Sequence, residues 1–353
     1  MRRHIMTLQS NDQLVAQPAI PELGQTSNDT NLVQLKLDGY EREWSLYLAA
    51  LQEMANRGLS IAELLGCFEH IRNHYDGFID EWVLKRIHCD LGQFTGATSP
   101  HRLVAENGRY ASVTEAQNCN ILFDLIEHCL DPEVDGVVEF GSGLGHNLAR
   151  LRMRIPNRNG LTYIACEPSA SGRQATELLF ASDHKAQLRV LPFDYTTSSL
   201  DFLSGFRKLV AFTCHSVEQV TVLGADFYQR LLDSPVATCI HLEPFGWQHH
   251  TNLVAEVDAF HQNIVARDKL LGSFVYYIDN DMFLANSAAW SLSYAYNTDL
   301  LRLISSASDR GDINIFRLGY DILGSNPFNP SSIVAWTRRR RRRQSKSVVN
   351  GSG

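Results

Sequence analysis

The chain has 353 residues, a formal net charge of −7, 44% hydrophobic residues and 20% charged residues. This balance is ordinary for a globular protein, and no stretch approaches the ~20 apolar residues that a membrane span needs. Seven scattered cysteines without a Cys-x-x-Cys pair argue against a zinc site and a disulfide framework, and they favour a reducing compartment. No apolar segment follows the basic N-terminus, so no signal peptide is predicted, and we expect a cytoplasmic protein with no membrane partner.

The N-terminal part of the chain carries helix signals. Residues 1–30 are polar and lack periodicity, so we expect them to be disordered. Residues 31–110 are expected to form a helical unit that packs as a lid over the strand ends of the domain that follows. Within it, apolar residues recur at helical spacing from Trp44 to Leu51, which predicts a helix from residue 35 to about residue 57.

Two more helices and a linker complete this unit in the prediction. Ser60, with Glu63 three residues later, has the pattern of a capping box that opens a second helix. An apolar stripe predicts a third helix at 78–87. Residues 93–107 contain Gly, Thr, Ser and Pro and are interpreted as a linker, so the prediction places no strand in this unit.

Strand and helix signals alternate over residues 111–338. A helix is expected at 115–130, ahead of the first strand. Repeated βα units predict an α/β fold whose parallel sheet has helices on both faces, with ligands at the C-terminal ends of the strands. The first predicted strand ends at residue 139, and the others span residues 161–166, 188–191, 209–213, 236–242, 313–318 and 333–337.

The last third of the chain is less regular. Residues 252–270 have the pattern of an amphipathic helix, and the aromatic-rich stretch 272–308 is interpreted as partly helical. Six consecutive arginines, Arg338 to Arg343, open a basic segment at 339–353. The run is compatible with a nuclear address or a nucleic-acid contact, but we favour a solvated, disordered tail. Without these six charges the remaining chain carries −13, which argues against a general nucleic-acid partner.

The most informative stretch lies at the end of the first predicted strand, where Glu139 precedes Gly141, Gly143 and Gly145. A strand, a glycine turn and a helix in this order make a ligand-binding βα unit, because glycines let a ligand lie against bare backbone. The spacing Gly-x-Gly-x-Gly differs from the dinucleotide fingerprint Gly-x-Gly-x-x-Gly, and no Lys-Ser/Thr follows as in a P-loop. The alternative is a glycine-rich turn in another kind of α/β protein.

This motif resembles the first motif of class I S-adenosylmethionine (SAM)-dependent methyltransferases, and the resemblance covers about residues 114–338. It implies a Rossmann-like, doubly wound, mostly parallel seven-stranded sheet, whose last two strands form a closing pair with one strand antiparallel. It also implies SAM as the cofactor and S-adenosylhomocysteine (SAH) as the co-product.

Acidic residues at the ends of the next strands agree with this resemblance. Glu167 ends the second predicted strand and Asp194 the third. A carboxylate can accept hydrogen bonds from two ribose hydroxyls, and the resemblance implies this role for Glu167. Asp194 is placed to accept from the adenine amino group, and Glu139 to act through the turn and the methionine amino group. The residues predicted to contact the cofactor are Glu139, Gly141, Ser142, Gly143, Gly145, Glu167, Pro168, Asp194, Tyr195 and His215.

The stretch after the fourth predicted strand, residues 212–219, is similar to the His-x-x-Glu-His segment of many class I methyltransferases, with Gln219 in place of the last histidine. In that family the segment lines the cofactor and faces the acceptor, so His215 and Glu218 are the predicted catalytic residues. A neutral imidazole can take a proton from an acceptor hydroxyl or amine. The alternative is that both residues only brace the loop, because many methyltransferases act by proximity and orientation alone.

Three residues are candidates for acceptor binding, namely Trp247, His249 and Tyr110. Tyr195 and Trp247 have rings that can stack on an aromatic acceptor, and core packing is the equal alternative. The adjacent His249 and His250 suggest a metal site, but neighbouring helical residues point about 100° apart, so no metal is predicted.

The sequence therefore predicts a SAM-dependent methyltransferase that acts on an oxygen or nitrogen atom of a small-molecule acceptor, for example a compound of specialised metabolism. The alternatives are a protein or peptide methyltransferase and a non-catalytic SAM-fold interaction protein. An NAD-dependent oxidoreductase is disfavoured by the glycine spacing, and an RNA methyltransferase by the missing Asn/Asp-Pro-Pro-Tyr/Phe signature.

Overall fold

The computed structural model describes residues 29–66, 68, 102–113, 120–250 and 283–339. The helices are α1 (Asp29–Ala55), α2 (Ile121–Cys129), α3 (His146–Arg154), α4 (Ala170–Phe180), α5 (Ala225–Asp233), α6 (Phe283–Ser293) and α7 (Leu300–Asp309). The strands are β1 (Arg102–Glu106), β2 (Arg109–Val113), β3 (Gly136–Phe140), β4 (Thr162–Cys166), β5 (Gln187–Leu191), β6 (Leu209–Cys214), β7 (Val236–Glu243), β8 (Ile313–Gly324) and β9 (Ser331–Arg338).

All of these strands join one mixed sheet in the order β2-β1-β8-β9-β7-β6-β3-β4-β5. The five strands from β3 to β7 are mutually parallel. Strand β9 runs antiparallel between β7 and β8. The α/β prediction is confirmed, with five contiguous parallel strands that run from β7 to the edge strand β5.

The prediction of seven strands is wrong, because the described residues already form nine strands in this sheet. The extra pair is the hairpin β1–β2, which adds to the edge of the sheet through β8. Its strands replace part of the predicted linker and of the predicted helical unit. Asn107 and Gly108 form the turn, with φ of +48° and +73°. An Asn-Gly pair with both φ angles positive is the preferred two-residue hairpin turn, so the sequence carried a signal that the linker interpretation overlooked.

Two apolar cores lie on opposite faces of the sheet. Because successive side chains of a strand point to opposite faces, Val137 packs in one core and Val138 in the other. The first core contains apolar residues of α1 to α4, and the second contains those of α5 and α7. The doubly wound arrangement therefore follows from strands that are apolar on both faces.

The N-terminal helices agree with the sequence where the structure describes them. Helix α1 begins six residues before its predicted start, and a helical segment follows at 61–66. Its capping box is formed: Ser60 N–H donates to Glu63 at 2.8 Å, and Glu63 N–H donates to the Ser60 hydroxyl at 3.4 Å. The predicted helices at 78–87 and 252–270, the N-terminal segment 1–28 and the arginines after 339 lie outside the described residues.

Strand β8 is longer than predicted. It runs six residues past its expected end, with irregular pairing to β9, and its last two residues pair with β1. The aromatic-rich stretch is helical in α6 and α7, as expected. Among the helices that the structure describes, none is both long and apolar enough to span a bilayer.

Candidate functional site

The candidate site lies at the C-terminal edge of the parallel strands, where the order of the sheet reverses. The chain adds β4 and β5 on one side of β3 and then returns to add β6 and β7 on the other side. Open α/β sheets bind ligands in the crevice at such a switch point. The loops after β3 and β6 meet here, since a Cβ on Gly141 would lie 2.4 Å from the Cβ of Ser216.

The glycine turn is packed tightly on one side and faces α1 on the other. Gly141, Gly143 and Gly145 have φ of +69°, +53° and +73°. A Cβ on Gly145 would lie 2.5 Å from the side chain of Thr176 in α4, so only glycine fits there. A Cβ on Gly143 would instead meet its nearest atom, in the Trp44 ring, at 3.4 Å.

Glu167 links the glycine turn to the end of β4. Its Oε2 accepts from the Gly143 N–H at 2.8 Å, and its Oε1 accepts from the Ser169 N–H at 3.1 Å and hydroxyl at 2.6 Å. Burial raises the pKa of Glu167, and the hydrogen bonds from Ser169 and Gly143 oppose the rise. Pro168 is exposed, and its carbonyl accepts from Arg173 at 2.6 Å. The structure brings Glu167 and Gly143 together, and their contact with a cofactor stays a prediction.

Glu139 is buried at the end of β3, with 1% of its surface exposed. Its Oε1 accepts from the Asn147 amide at 2.8 Å. Its Oε2 and the buried Ser142 hydroxyl have no hydrogen-bond partner among the described residues. Burial raises the pKa of Glu139 to about 8, with a smaller contribution from the charge of Glu167. Polar groups that could bind a ligand therefore remain beside the glycine turn.

Asp194 and Tyr195 lie in the segment after β5, and each has different hydrogen-bond partners. Asp194 Oδ1 accepts from the N–H of Thr196 at 2.7 Å and also from its hydroxyl. Partial burial alone would raise the pKa of Asp194, but these hydrogen bonds outweigh it and the pKa lies below its ordinary value. Tyr195 is buried, and its hydroxyl donates to the Phe140 carbonyl at 2.8 Å. Its ring packs on Phe227, so of the two alternatives for Tyr195 the geometry favours core packing.

His215 lies in the loop after β6 between two hydrogen-bond partners. Its Nδ1 lies 2.9 Å from Glu218 Oε2, and its Nε2 lies 2.6 Å from the hydroxyl of Ser331, the first residue of β9. Its φ is +51°, a strained value for a residue other than glycine. Facing a carboxylate, Nδ1 carries the proton of the neutral ring, which leaves the lone pair of Nε2 to accept a hydroxyl proton. This geometry suits a base, and the catalytic role stays a prediction.

Glu243 is a site residue to which the sequence analysis assigned no role. It ends β7 with 1% of its surface exposed, and its carboxylate accepts from the backbone N–H groups of Ser216, Val217 and Glu218 at 3.1 to 3.2 Å. Burial, followed by the charge of Glu218, raises the pKa of Glu243 to about 7. In the sequence, the signal for this site residue was an acidic residue at the end of a predicted strand, as for Glu139 and Glu167.

Helix α1, which belongs to the unit predicted to form a lid, contacts the site through residues that were not predicted individually. Lys36 Nζ donates to the carbonyls of Gln219 at 3.0 Å and Ala295 at 2.8 Å. Glu41 accepts from the Ser171 hydroxyl at 2.5 Å, at the start of α4. Through these contacts α1 bridges the loop after β6 and the helix that follows β4. They join residues more than 120 positions apart, so no local pattern predicts them.

The three predicted acceptor-binding residues each contact α6 or β8. Trp247 is buried, with 1% of its surface exposed, and its indole N–H donates to the Pro244 carbonyl at 3.1 Å, so core packing is favoured. His249 is exposed and stacks on Tyr320 with ring centroids 4.2 Å apart. Tyr110 lies on the hairpin strand β2 at the far edge of the sheet, where its hydroxyl accepts from the Asn286 amide at 2.5 Å. Among the described residues, no group of three metal-ligating side chains converges.

No protein-family model matches the chain, and no curated protein does. Among the solved structures that are similar to it are methyltransferases. Geranyl diphosphate methyltransferase in complex with GPP and sinefungin is 10% identical, over 62% of this chain and 78% of that chain, with a TM-score of 0.38. The ribosomal protein L11 methylase of Lactobacillus delbrueckii subsp. bulgaricus is 14% identical, over 62% and 77%, with a TM-score of 0.33.

A structure of another class is as similar as these. A putative zinc-dependent alcohol dehydrogenase from Rhodobacter sphaeroides is 13% identical, over 64% of this chain and 93% of that chain, with a TM-score of 0.37. Similarity at this level carries no argument about function. The function of this chain has to be inferred from its own strand order and side chains.

Proposed function

We propose that the protein is a SAM-dependent methyltransferase that acts on an oxygen or nitrogen atom of a small molecule. The observation that carries the proposal is the hydrogen bond from Gly143 to Glu167. It joins a Gly-x-Gly-x-Gly turn to a buried carboxylate on the next strand, at the switch point of the sheet. The antiparallel β9 between β7 and β8 supports the same class, since the resemblance implies such a closing pair.

The residues at the strand ends fit a cationic cofactor. Glu139, Glu167, Glu218 and Glu243 are all buried at this edge of the sheet. A buried carboxyl group is costly to ionise unless an opposite charge or hydrogen bonds compensate it, so a positively charged ligand would favour the ionised form of these side chains. When bound, SAM supplies a methyl group on a positively charged sulfur. Glu167 would then hold the ribose hydroxyls, and Asp194 the adenine amino group.

His215 is the proposed base for the acceptor. Glu218 holds its Nδ1–H, and its Nε2 takes the proton that the acceptor oxygen or nitrogen releases. In the structure the hydroxyl of Ser331 is hydrogen-bonded to this nitrogen and orients the ring. Helix α1 covers the site and excludes water, which favours alignment of donor and acceptor over hydrolysis.

The second candidate is a protein or peptide methyltransferase. Outside the arginine run the chain carries −13, and an acidic surface attracts a basic substrate. The two candidates share the donor site and differ only in the acceptor.

Turnover assays would test both candidates. The protein is incubated with methyl-labelled SAM and pools of hydroxyl- or amine-bearing small molecules, and separately with basic peptides, and SAH formation is measured. We expect SAH with a small-molecule pool, and a loss of about tenfold or more in Glu167→Gln, because only one of the two side-chain atoms of glutamine accepts a hydrogen bond from a hydroxyl, whereas both carboxylate oxygens do. Glu177→Gln is the control, because Glu177 is exposed on α4.

Three outcomes would contradict the proposal in different ways. SAH formed only with peptides would favour the second candidate. SAM binding without SAH formation from any pool would indicate an interaction protein that has kept the cofactor site. Stabilisation by NADH and not by SAM would restore the oxidoreductase alternative.

A further inference from the structure

Three residues on one face of α1 span the proposed donor site. Lys36, Tyr40 and Trp44 are four residues apart, so they lie above one another on the helix surface. Lys36 donates to the loop after β6, at the Gln219 carbonyl. Trp44 lies over the glycine turn after β3, at Gly143. Tyr40 therefore lies between these two loops, above the switch point of the sheet.

The surroundings of Tyr40 combine an aromatic ring with several acidic side chains. Its ring stacks on Trp44, with centroids 5.7 Å apart and planes 24° apart. The side chain is only half-buried. Burial raises the pKa of the Tyr40 phenol, and the nearby charges of Glu218, Glu43, Glu167 and Glu243 add to the rise. An aromatic face beside several carboxylates is a favourable environment for an organic cation.

We propose that Tyr40 forms the cation-binding wall of the donor site, where it recognises the positive charge on the sulfur of SAM. This inference rests on the proposed function and adds a residue from outside the glycine turn and the acidic strand ends. SAM and SAH have almost the same shape, but the sulfur of SAH is neutral. Removing the ring should therefore weaken SAM binding much more than SAH binding.

The test is calorimetric titration of SAM and SAH into the wild type, Tyr40→Leu and Tyr40→Phe. We expect Tyr40→Leu to lose ~10-fold in SAM affinity and less than about threefold in SAH affinity. Tyr40→Phe keeps the ring and should keep the wild-type ratio of the two affinities. Leu46→Ala, on the exposed surface of α1, is the control and should change neither.

If Tyr40→Leu does not fold, a variant that keeps an aromatic ring at position 40 tests the proposal. Pentafluorophenylalanine at position 40 keeps the ring but removes the negative potential of its face. Relative to Tyr40→Phe, it should lower the affinity for SAM and for sinefungin, which carries an amine near the position of the sulfur, and leave SAH unchanged. Equal losses for SAM and SAH would overturn the role of Tyr40 while leaving the donor site intact. A wild type that binds neither ligand would overturn the proposed function itself.

Discussion

Glu139 shows how a single buried carboxyl couples the proposed site to pH. Its pKa is raised by burial to about 8, whereas its ordinary value is 4.5. Between these values the folded protein holds a proton that the unfolded chain has released, so the free energy of unfolding falls as pH rises. His241, whose pKa burial lowers from 6.5 to about 3, contributes only below about pH 6.5, and Lys36, whose pKa burial lowers to about 8, acts mainly above pH 8. Glu243, whose pKa burial raises to about 7, contributes in the same direction as Glu139 but mainly below pH 7.

We therefore predict that Glu139 lowers the free energy of unfolding by ~1 kcal/mol between about pH 7 and pH 8. Glu139→Gln, which cannot ionise, should remove that part of the pH dependence. Urea denaturation at several pH values measures it, with Glu177→Gln as the control. An identical slope in the wild type and Glu139→Gln would show that this carboxyl does not hold its proton at neutral pH.

At the scale of elements, α1 is fixed to the strand ends by polar contacts at several points. Lys36 is half-buried and donates to two backbone carbonyls, which belong to Gln219 and Ala295. Glu41 accepts from the Ser171 hydroxyl. The same helix buries Leu51 in the core on one face of the sheet. Its apolar residues hold the helix to the protein, and Lys36 holds the end that covers the proposed site.

Replacing Lys36 by methionine leaves both carbonyls without this donor. The Ala295 carbonyl keeps the Thr221 hydroxyl as a donor, whereas the partly buried Gln219 carbonyl loses the donation from Lys36. Leaving a buried carbonyl unpaired costs about 1 to 3 kcal/mol, so we predict faster amide hydrogen exchange in the N-terminal half of α1. Exchange in β3 to β7 should stay as in the wild type, because the sheet does not depend on this contact. Lys185→Met, at an exposed position, is the matched control. Unchanged exchange in α1 would mean that apolar packing alone holds it.

Across the whole molecule, the parallel part of the sheet was predicted from the sequence, whereas the hairpin β1–β2 was missed. Strands β3 to β7 have short apolar runs bounded by turns, and their predicted bounds agree with the structure to within one or two residues. The closing pair was predicted as well. The hairpin β1–β2 was missed because the turn-forming residues around its strands were interpreted as a linker, although Asn107-Gly108 is itself a hairpin-turn signal.

The candidate site was also predictable from the sequence only in part. Glu139, Glu167 and the glycine turn are close in sequence to the strands that position them, so their proximity follows from the sheet order. The contact between His215 and Ser331 spans 116 positions, and the docking of Lys36 on Ala295 spans 259. Such contacts depend on how distant elements pack. Trp247 and Tyr195 were ambiguous from sequence, because buried and ligand-stacking aromatic residues have the same local pattern.

The central claim is that the strand ends of β3 and β4 hold SAM, and calorimetric titration with SAM tests it most directly. We expect micromolar binding of SAM by the wild type. Gly143→Arg should lose this binding, because an arginine side chain there enters the space between the glycine turn and Trp44. Gly160→Arg is the control, since Gly160 also has positive φ, +83°, but no atom within 4 Å of its Cβ position. Absence of binding by folded wild type, or equal binding by Gly143→Arg, would contradict the claim.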